Sequence, residues 1–205
     1  MPAMLQSTYD QRNQDRLNPE MMNPRKRTSS SHAVRTGRWM ARRDERFAIF
    51  LFGMRLNRLR GLPRFLWGLR VLRRVLRDLD THPERGFLAG RVYRTGWTLI
   101  AVQYWESFDA LDAWARDHRL PHRQPWQQYL REALDDGAMG LWHETYLASP
   151  GSWEGVYLNL PPWGLAAGVE AVEMQATKGS ARERLREQRK RASRAAAEKP
   201  PPPPP

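Results

Sequence analysis

Apolar and polar residues alternate with different periods in successive stretches of this chain. RFAIFLFGMRLN, at 46–57, is apolar at consecutive positions, which predicts a central strand covered on both sides. LPRFLWGLRVLRRVLRDLD, at 62–80, has proline near its start and sets Phe65, Leu66, Leu69, Leu72, Val75, Leu76 and Leu79 on one stripe. That spacing predicts an amphipathic helix lying on a sheet. Its opposite stripe, Arg70, Arg73, Arg74 and Arg77, reads as a solvated face with no function assigned to it. GFLAGRVYRTGWTLIAVQYW, at 86–105, holds two β-rich runs separated by Thr95-Gly96, a hairpin signal. Ser107 is placed to cap a short helix in FDALDAWARDH, where Phe108, Leu111, Trp114 and Ala115 share a face. Pro121 and Pro125 interrupt the pattern before a second helical piece, PWQQYLREALDD, which stops at Gly137. AMGLWHETYL and WEGVYLNL read as strands, and the loop PPWGLAAG follows.

Strand, helix, strand, strand, helix, strand, with one strand more, is the ferredoxin-like βαββαβ order of an α+β fold. Helices cover one face of such a sheet and leave the other to a partner, commonly the same face of a second subunit. A homodimer is therefore expected. The domain is expected to span 34–177, between a disordered N-terminal extension at 1–33 and a basic, proline-terminated disordered tail at 178–205. Within that tail, KGSARERLREQRKRASRAAAEK is also able to form a solvated helix.

Charge sharpens this division. The net charge of +12 points to nucleic acid or an anionic surface only if it lies on the folded domain. Residues 47–177 carry fifteen basic against fourteen acidic side chains, whereas 1–46 carry ten against five and 178–205 nine against three. The basicity belongs mainly to the tails, which read as solubilising rather than as a nucleic-acid site. The absence of cysteine excludes disulfides, thiolate metal sites and a cysteine nucleophile. FAIFLFGM, the longest strongly apolar run, is far short of the roughly twenty residues a spanning helix needs, so no membrane segment is expected. With no secretory signal in view, a cytoplasmic location is expected.

The candidate chemistry begins with GLWHETYL, where His143 and Glu144 interrupt an apolar strand. Strand alternation puts them on opposite faces, with Tyr146 on the side of Glu144. The same alternation groups Arg55 with Asn57, and Gln103 with Trp105, each pair near a strand end. If these positions face a barrel interior, they line a pocket with apolar walls and a few convergent polar groups. His143 then serves as a general base, an oxyanion donor or a haem ligand, against the alternative of a core histidine. His118 and His122 have i, i+4 spacing, but Pro121 disfavours one continuous helical turn, so no metal site is expected. No phosphate loop, dinucleotide fingerprint, serine elbow or HExxH is present.

FLFGMRLN, AVQYWESFDALDAWARD, HRQPW, GLWHETYL and NLPPWGLA, in this order, resemble the DUF4188 family over about 34–180. The resemblance implies a dimeric α/β barrel, a fold shared with antibiotic-biosynthesis-type monooxygenases, haem-degrading oxygenases and haem-containing aldoxime dehydratases. It also implies a monooxygenase-like enzyme for a small, largely apolar organic substrate, with His143 and His122 as its candidate catalytic residues. Arg55, Asn57, Gln103, Trp105 and Tyr146 are the candidate substrate contacts. The cofactor is left open between none and haem, with His143 or His122 as axial ligand. A non-catalytic dimeric binding or scaffold protein is the alternative from another class.

Overall fold

The computed structural model describes residues 33–117, 119, 136–174 and 179–198. The described strands are β1 (Arg35–Arg42), β2 (Phe47–Leu56), β3 (Phe87–Thr95), β4 (Thr98–Trp105), β5 (Met139–Ala148), β6 (Val156–Leu160) and β7 (Glu170–Glu173). The described helices are α1 (Leu62–Asp80), α2 (Phe108–Arg116) and α3 (Ala181–Glu198). The expected extension at 1–33, apart from its last residue, lies outside the described residues, as do the closing prolines and all but the last residue of the helical piece at 125–136.

The strongest apolar run becomes the strand on which the sheet is centred. β2 pairs antiparallel with β4 on one side and β5 on the other, giving the order β3-β4-β2-β5. This is the ferredoxin-like order expected from the sequence. β3 and β4 are joined by a tight turn with Thr95 opposite Thr98, and Gly96 supplies the positive φ of +54° that the turn requires. α1 occupies the predicted span with Pro63 in its first turn. It buries Phe65, Gly68, Leu72, Val75, Leu76 and Leu79, but Leu66 is 43% exposed, a departure from the expected stripe. α2 starts where Ser107 Oγ accepts the Ala110 amide at 3.1 Å.

Both helices lie on one face of the sheet. Phe52, Met54, Leu99, Ala101 and Met139 pack with Phe65 and Leu72 of α1. Beside them, Ala48 and Trp105 pack with Val75, Leu79 and Leu111. The even-numbered positions of β2 and the odd-numbered positions of β4 therefore point at the helices. Each large side chain buried here contributes about 1.5–3 kcal/mol of transfer free energy.

A second sheet, ordered β6-β1-β7, was not expected from the sequence beyond β6. β1 buries only Trp39 and Ala41 among residues that are otherwise basic, polar or half-exposed, and Trp39 stacks on Tyr157 at 4.5 Å. This sheet and the turn Gly164–Ala167 share a core with Phe47, Leu88 and Ala148, which covers one end of the helix-free side of the larger sheet. The basic segment beyond 178 takes its helical form as α3, and that helix is docked rather than free. Arg184 pairs with Glu154 at 2.8 Å, Arg191 with Asp44 at 3.2 Å, and the buried Gln188 carboxamide accepts the Gly151 amide at 2.6 Å. No helix among the described residues is long and apolar enough to cross a membrane.

Candidate active site

Pairing register decides which side of the sheet each candidate side chain occupies. His143 is opposite Phe52, Gln103 is opposite Phe50 and Trp105 is opposite Ala48, so all three lie on the helix side. Arg55 and Tyr146 lie on the other side. Asn57 lies just past the end of β2, where its Nδ2 donates to the Gly137 carbonyl at 3.3 Å. The pocket expected from these polar positions is thus divided between two faces. Gln103 is 3% exposed and accepts from Trp105 Nε1 at 3.1 Å, a contact that satisfies both groups inside the core. His143 is exposed on β5, its ring 6.0 Å from that of Phe50. Among the described residues, one imidazole stands there, exposed and without enclosing walls for a haem plane. His118 and His122 lie outside the described residues.

The helix-free side carries the denser chemistry. Three cross-strand rows run from β3 through β4 and β2 to β5: Tyr93, Ile100, Gly53 and Trp142; Arg91, Val102, Leu51 and Glu144; and Ala89, Tyr104, Ile49 and Tyr146. At the β5 edge, the Tyr146 hydroxyl donates to Glu144. At the β3 edge, the Arg91 guanidinium lies 3.7 Å from the centre of the Trp163 ring, and Tyr93 approaches the same indole at 6.2 Å. Tyr157 reaches in from β6 and accepts the Ala166 amide at 3.4 Å.

Two phenol oxygens meet at Gly164. A methyl group placed on that glycine would stand 3.4 Å from the Tyr104 oxygen and 3.5 Å from the Tyr157 oxygen. Burial raises the pKa of Tyr104, and the neighbouring Tyr157 and Tyr93 add to the shift. Burial raises Tyr157 as well, against a lowering contribution from the Ala166 amide. Both groups therefore remain O–H donors at neutral pH, and Arg91 lines the same recess as Tyr104. Ala89, Gly90, Val102 and Ala167 complete the walls of a recess too small by itself for an organic molecule. Val102 connects it to the uncovered part of the sheet, where Leu51 and Ile100 are half-buried and Trp142 is 37% exposed. The Trp142 indole lies over Gly53, where an added methyl group would come within 2.1 Å of the ring.

Residues 47–165 match the family described as Monooxygenase af470-like. The chain belongs to that family. The matched span holds Arg91, Tyr93, Tyr104, Tyr157 and Trp163, and leaves out β1, β7 and α3. The monooxygenase-like affinity read from the five sequence motifs is the part of that resemblance this match supports; DUF4188 membership does not follow from it. Among solved structures, the chain is similar to an aldoxime dehydratase, OxdRE, crystallised with butyraldoxime, at 21% identity and a TM-score of 0.56. That match covers 68% of this chain and 44% of the dehydratase, so this chain spans less than half the length of that protein. SnoaB, a cofactor-independent oxygenase from Streptomyces nogalater, is similar at 15% identity and a TM-score of 0.31, over 50% of this chain and 92% of that one. A possible oxidoreductase from Bacteroides thetaiotaomicron matches at 11% identity and a TM-score of 0.35, over 52% of this chain and all of that one. No protein of curated function matches the chain.

Sequence reasoning missed Arg91, Tyr93, Tyr104, Tyr157 and Trp163 as a group. A signal was available in RVYR, where Arg91 and Tyr93 share a strand face, and in the Thr95-Gly96 turn, which brings that face beside Tyr104 of the returning strand.

Proposed function

We propose that this protein is a monooxygenase-like oxidoreductase, working as a homodimer, whose substrate is an acidic enol or phenol with an otherwise apolar body. The observation that carries this reading is the convergence of the Tyr104 and Tyr157 hydroxyls beside Arg91, at the border of an apolar sheet face. Phenol and guanidinium donors hold an oxyanion, and Leu51, Ile100 and Val102 receive the apolar body. A substrate acidic enough to bind as its enolate needs no protein base. That suits a site from which His143 is separated by the thickness of the sheet. In a cofactor-independent route, the bound enolate supplies electrons to dioxygen. A CH2 group becomes C=O, one oxygen atom enters the product and the other leaves as water.

The second subunit supplies the missing wall. Arg91 and Glu144 end the same cross-strand row, three strand spacings or about 14 Å apart. Two sheets packed face to face about a two-fold axis parallel to the strands set each Glu144 near the partner's Arg91, which makes the face self-complementary. Oxygen uptake on a panel of aromatic enols tests the reading. Tyr104→Phe is expected to lower turnover about a hundredfold, the usual effect of losing one oxyanion donor, while leaving the oligomeric state unchanged. His143→Ala is expected to stay within about twofold of wild type, because its side chain is on the other face. Full activity in Tyr104→Phe together with loss in His143→Ala would overturn the assignment and move the site to the helix side.

A further inference from the structure

We propose that the outer face of α1, together with the turn before it, docks on an anionic phospholipid surface. Residues 46–77 hold nine arginines and no aspartate or glutamate, although 47–177 as a whole are nearly neutral. Charge within the domain is therefore sorted rather than mixed. Arg70, Arg73, Arg74 and Arg77 fall at i, i+3, i+4 and i+7, a spacing at which like charges repel along one helix face. All four are exposed, and none forms an ion pair with a carboxylate among the described residues. They span about 10 Å of helix.

Apolar side chains occupy the N-terminal end of the same face. Leu66, one turn before Arg70, is 43% exposed, and Leu59 in the preceding turn is 75% exposed. Trp97, at the β3–β4 turn, is 50% exposed; it touches Phe65 of α1 and lies beneath the Arg94 guanidinium at 5.7 Å. Asp136, the carboxylate at this end, is already held by Arg60 and Arg64. Guanidiniums beside exposed leucine and tryptophan suit the phospholipid interface, where phosphate meets acyl chain. Phosphate contacts to nucleic acid would use the arginines but leave the two leucines without a role. The surface lies on the opposite side of the sheet from the proposed dimer face, so both can be occupied together. This is a peripheral contact and departs from the expectation of no membrane partner, without requiring a spanning segment.

Flotation of the full chain with phosphatidylcholine vesicles, with and without phosphatidylglycerol, tests the proposal. Binding is expected to the anionic vesicles only and to weaken as salt is raised. R70Q/R73Q/R74Q/R77Q is expected to lower the bound-to-free ratio at least about tenfold, and Leu59→Ser/Leu66→Ser several-fold, with the circular dichroism spectrum unchanged. The matched α3 variant R182Q/R186Q/K190Q/R194Q is expected to stay within about twofold, separating this surface from the basic tail. Undiminished binding by the α1 quadruple variant would overturn the proposal. So would binding to a duplex RNA without binding to anionic vesicles.

Discussion

The two faces of the four-stranded sheet are made by the same strands and are finished in different ways. On the helix side, α1 and α2 seal the surface over β2 and β4, where Met54, Leu99 and Trp105 are fully buried and the polar Gln103 has found its partner within the core. Along the edge strand β5, helix-side residues, His143 and Leu147 among them, are exposed. On the other side, β1, β6, β7 and the Gly164–Ala167 turn cover one end only, and the rest carries tyrosine, arginine, glutamate and tryptophan among half-buried aliphatics. Where its own chain seals it, over β2 and β4, the helix side holds the fold. The proposed substrate site and dimer face both lie on the partly bare side.

The contrast has measurable consequences of decreasing size. Trp105→Ala, on the sealed side, removes an indole packed against the rings of Phe87 and Trp114 at 5.4 and 5.2 Å. It also leaves the buried Gln103 carboxamide oxygen without its donor. Urea denaturation is expected to show a loss of about 3–5 kcal/mol. On the bare side, Glu144→Arg is expected to leave the subunit folded but weaken dimerisation at least about tenfold by sedimentation velocity. Combining it with Arg91→Glu is expected to restore part of that loss; a double variant as weak as the single one would break the proposed pairing.

The smallest effect is alkaline. Tyr104 and Tyr157 have pKa values raised above those of free phenols, so the folded state keeps protons that the unfolded state has released. Their contribution to stability is fully present below pH about 10, the ordinary tyrosine value, and is lost as pH rises through the raised values. Denaturation midpoints measured across that window are expected to fall with pH, and to fall less steeply in Tyr104→Phe/Tyr157→Phe. An equal slope in that variant would place the alkaline loss elsewhere.

The sealed side was legible in the sequence because burial imposes a period. The apolar run at β2, the stripe of α1 and the Thr95-Gly96 turn fixed the strand order. β1 escaped notice because RTGRWMAR buries two of eight residues, and β7 because four residues carry no usable period. The candidate site was harder to read for a related reason. His143 stood out because an ionisable group inside an apolar run contradicts burial, yet β5 is an edge strand and its middle is exposed. Tyr93, Tyr104 and Tyr157 looked like ordinary strand residues. They become a group only through cross-strand register and a turn that begins at Gly164, far along the chain from Tyr93 and Tyr104, neither of which local pattern encodes. Leu66 fitted the helical period but lies outside the sealed interface, and it belongs instead to the exposed face of α1.

Gly53 and Trp142 separate the size of the bare side from its chemistry. The central strand gives up a side chain, and an indole anchored on the edge strand fills the space above it. Bulk on this part of the surface therefore depends on one replaceable residue at the periphery, away from Arg91, Tyr104 and Tyr157. A smaller residue at 142 would deepen the floor, and any side chain at 53 would lift the indole outward. At the proposed site, divergence at these two positions would retune the dimensions of an acceptable molecule while the phenol and guanidinium donors stay where they are.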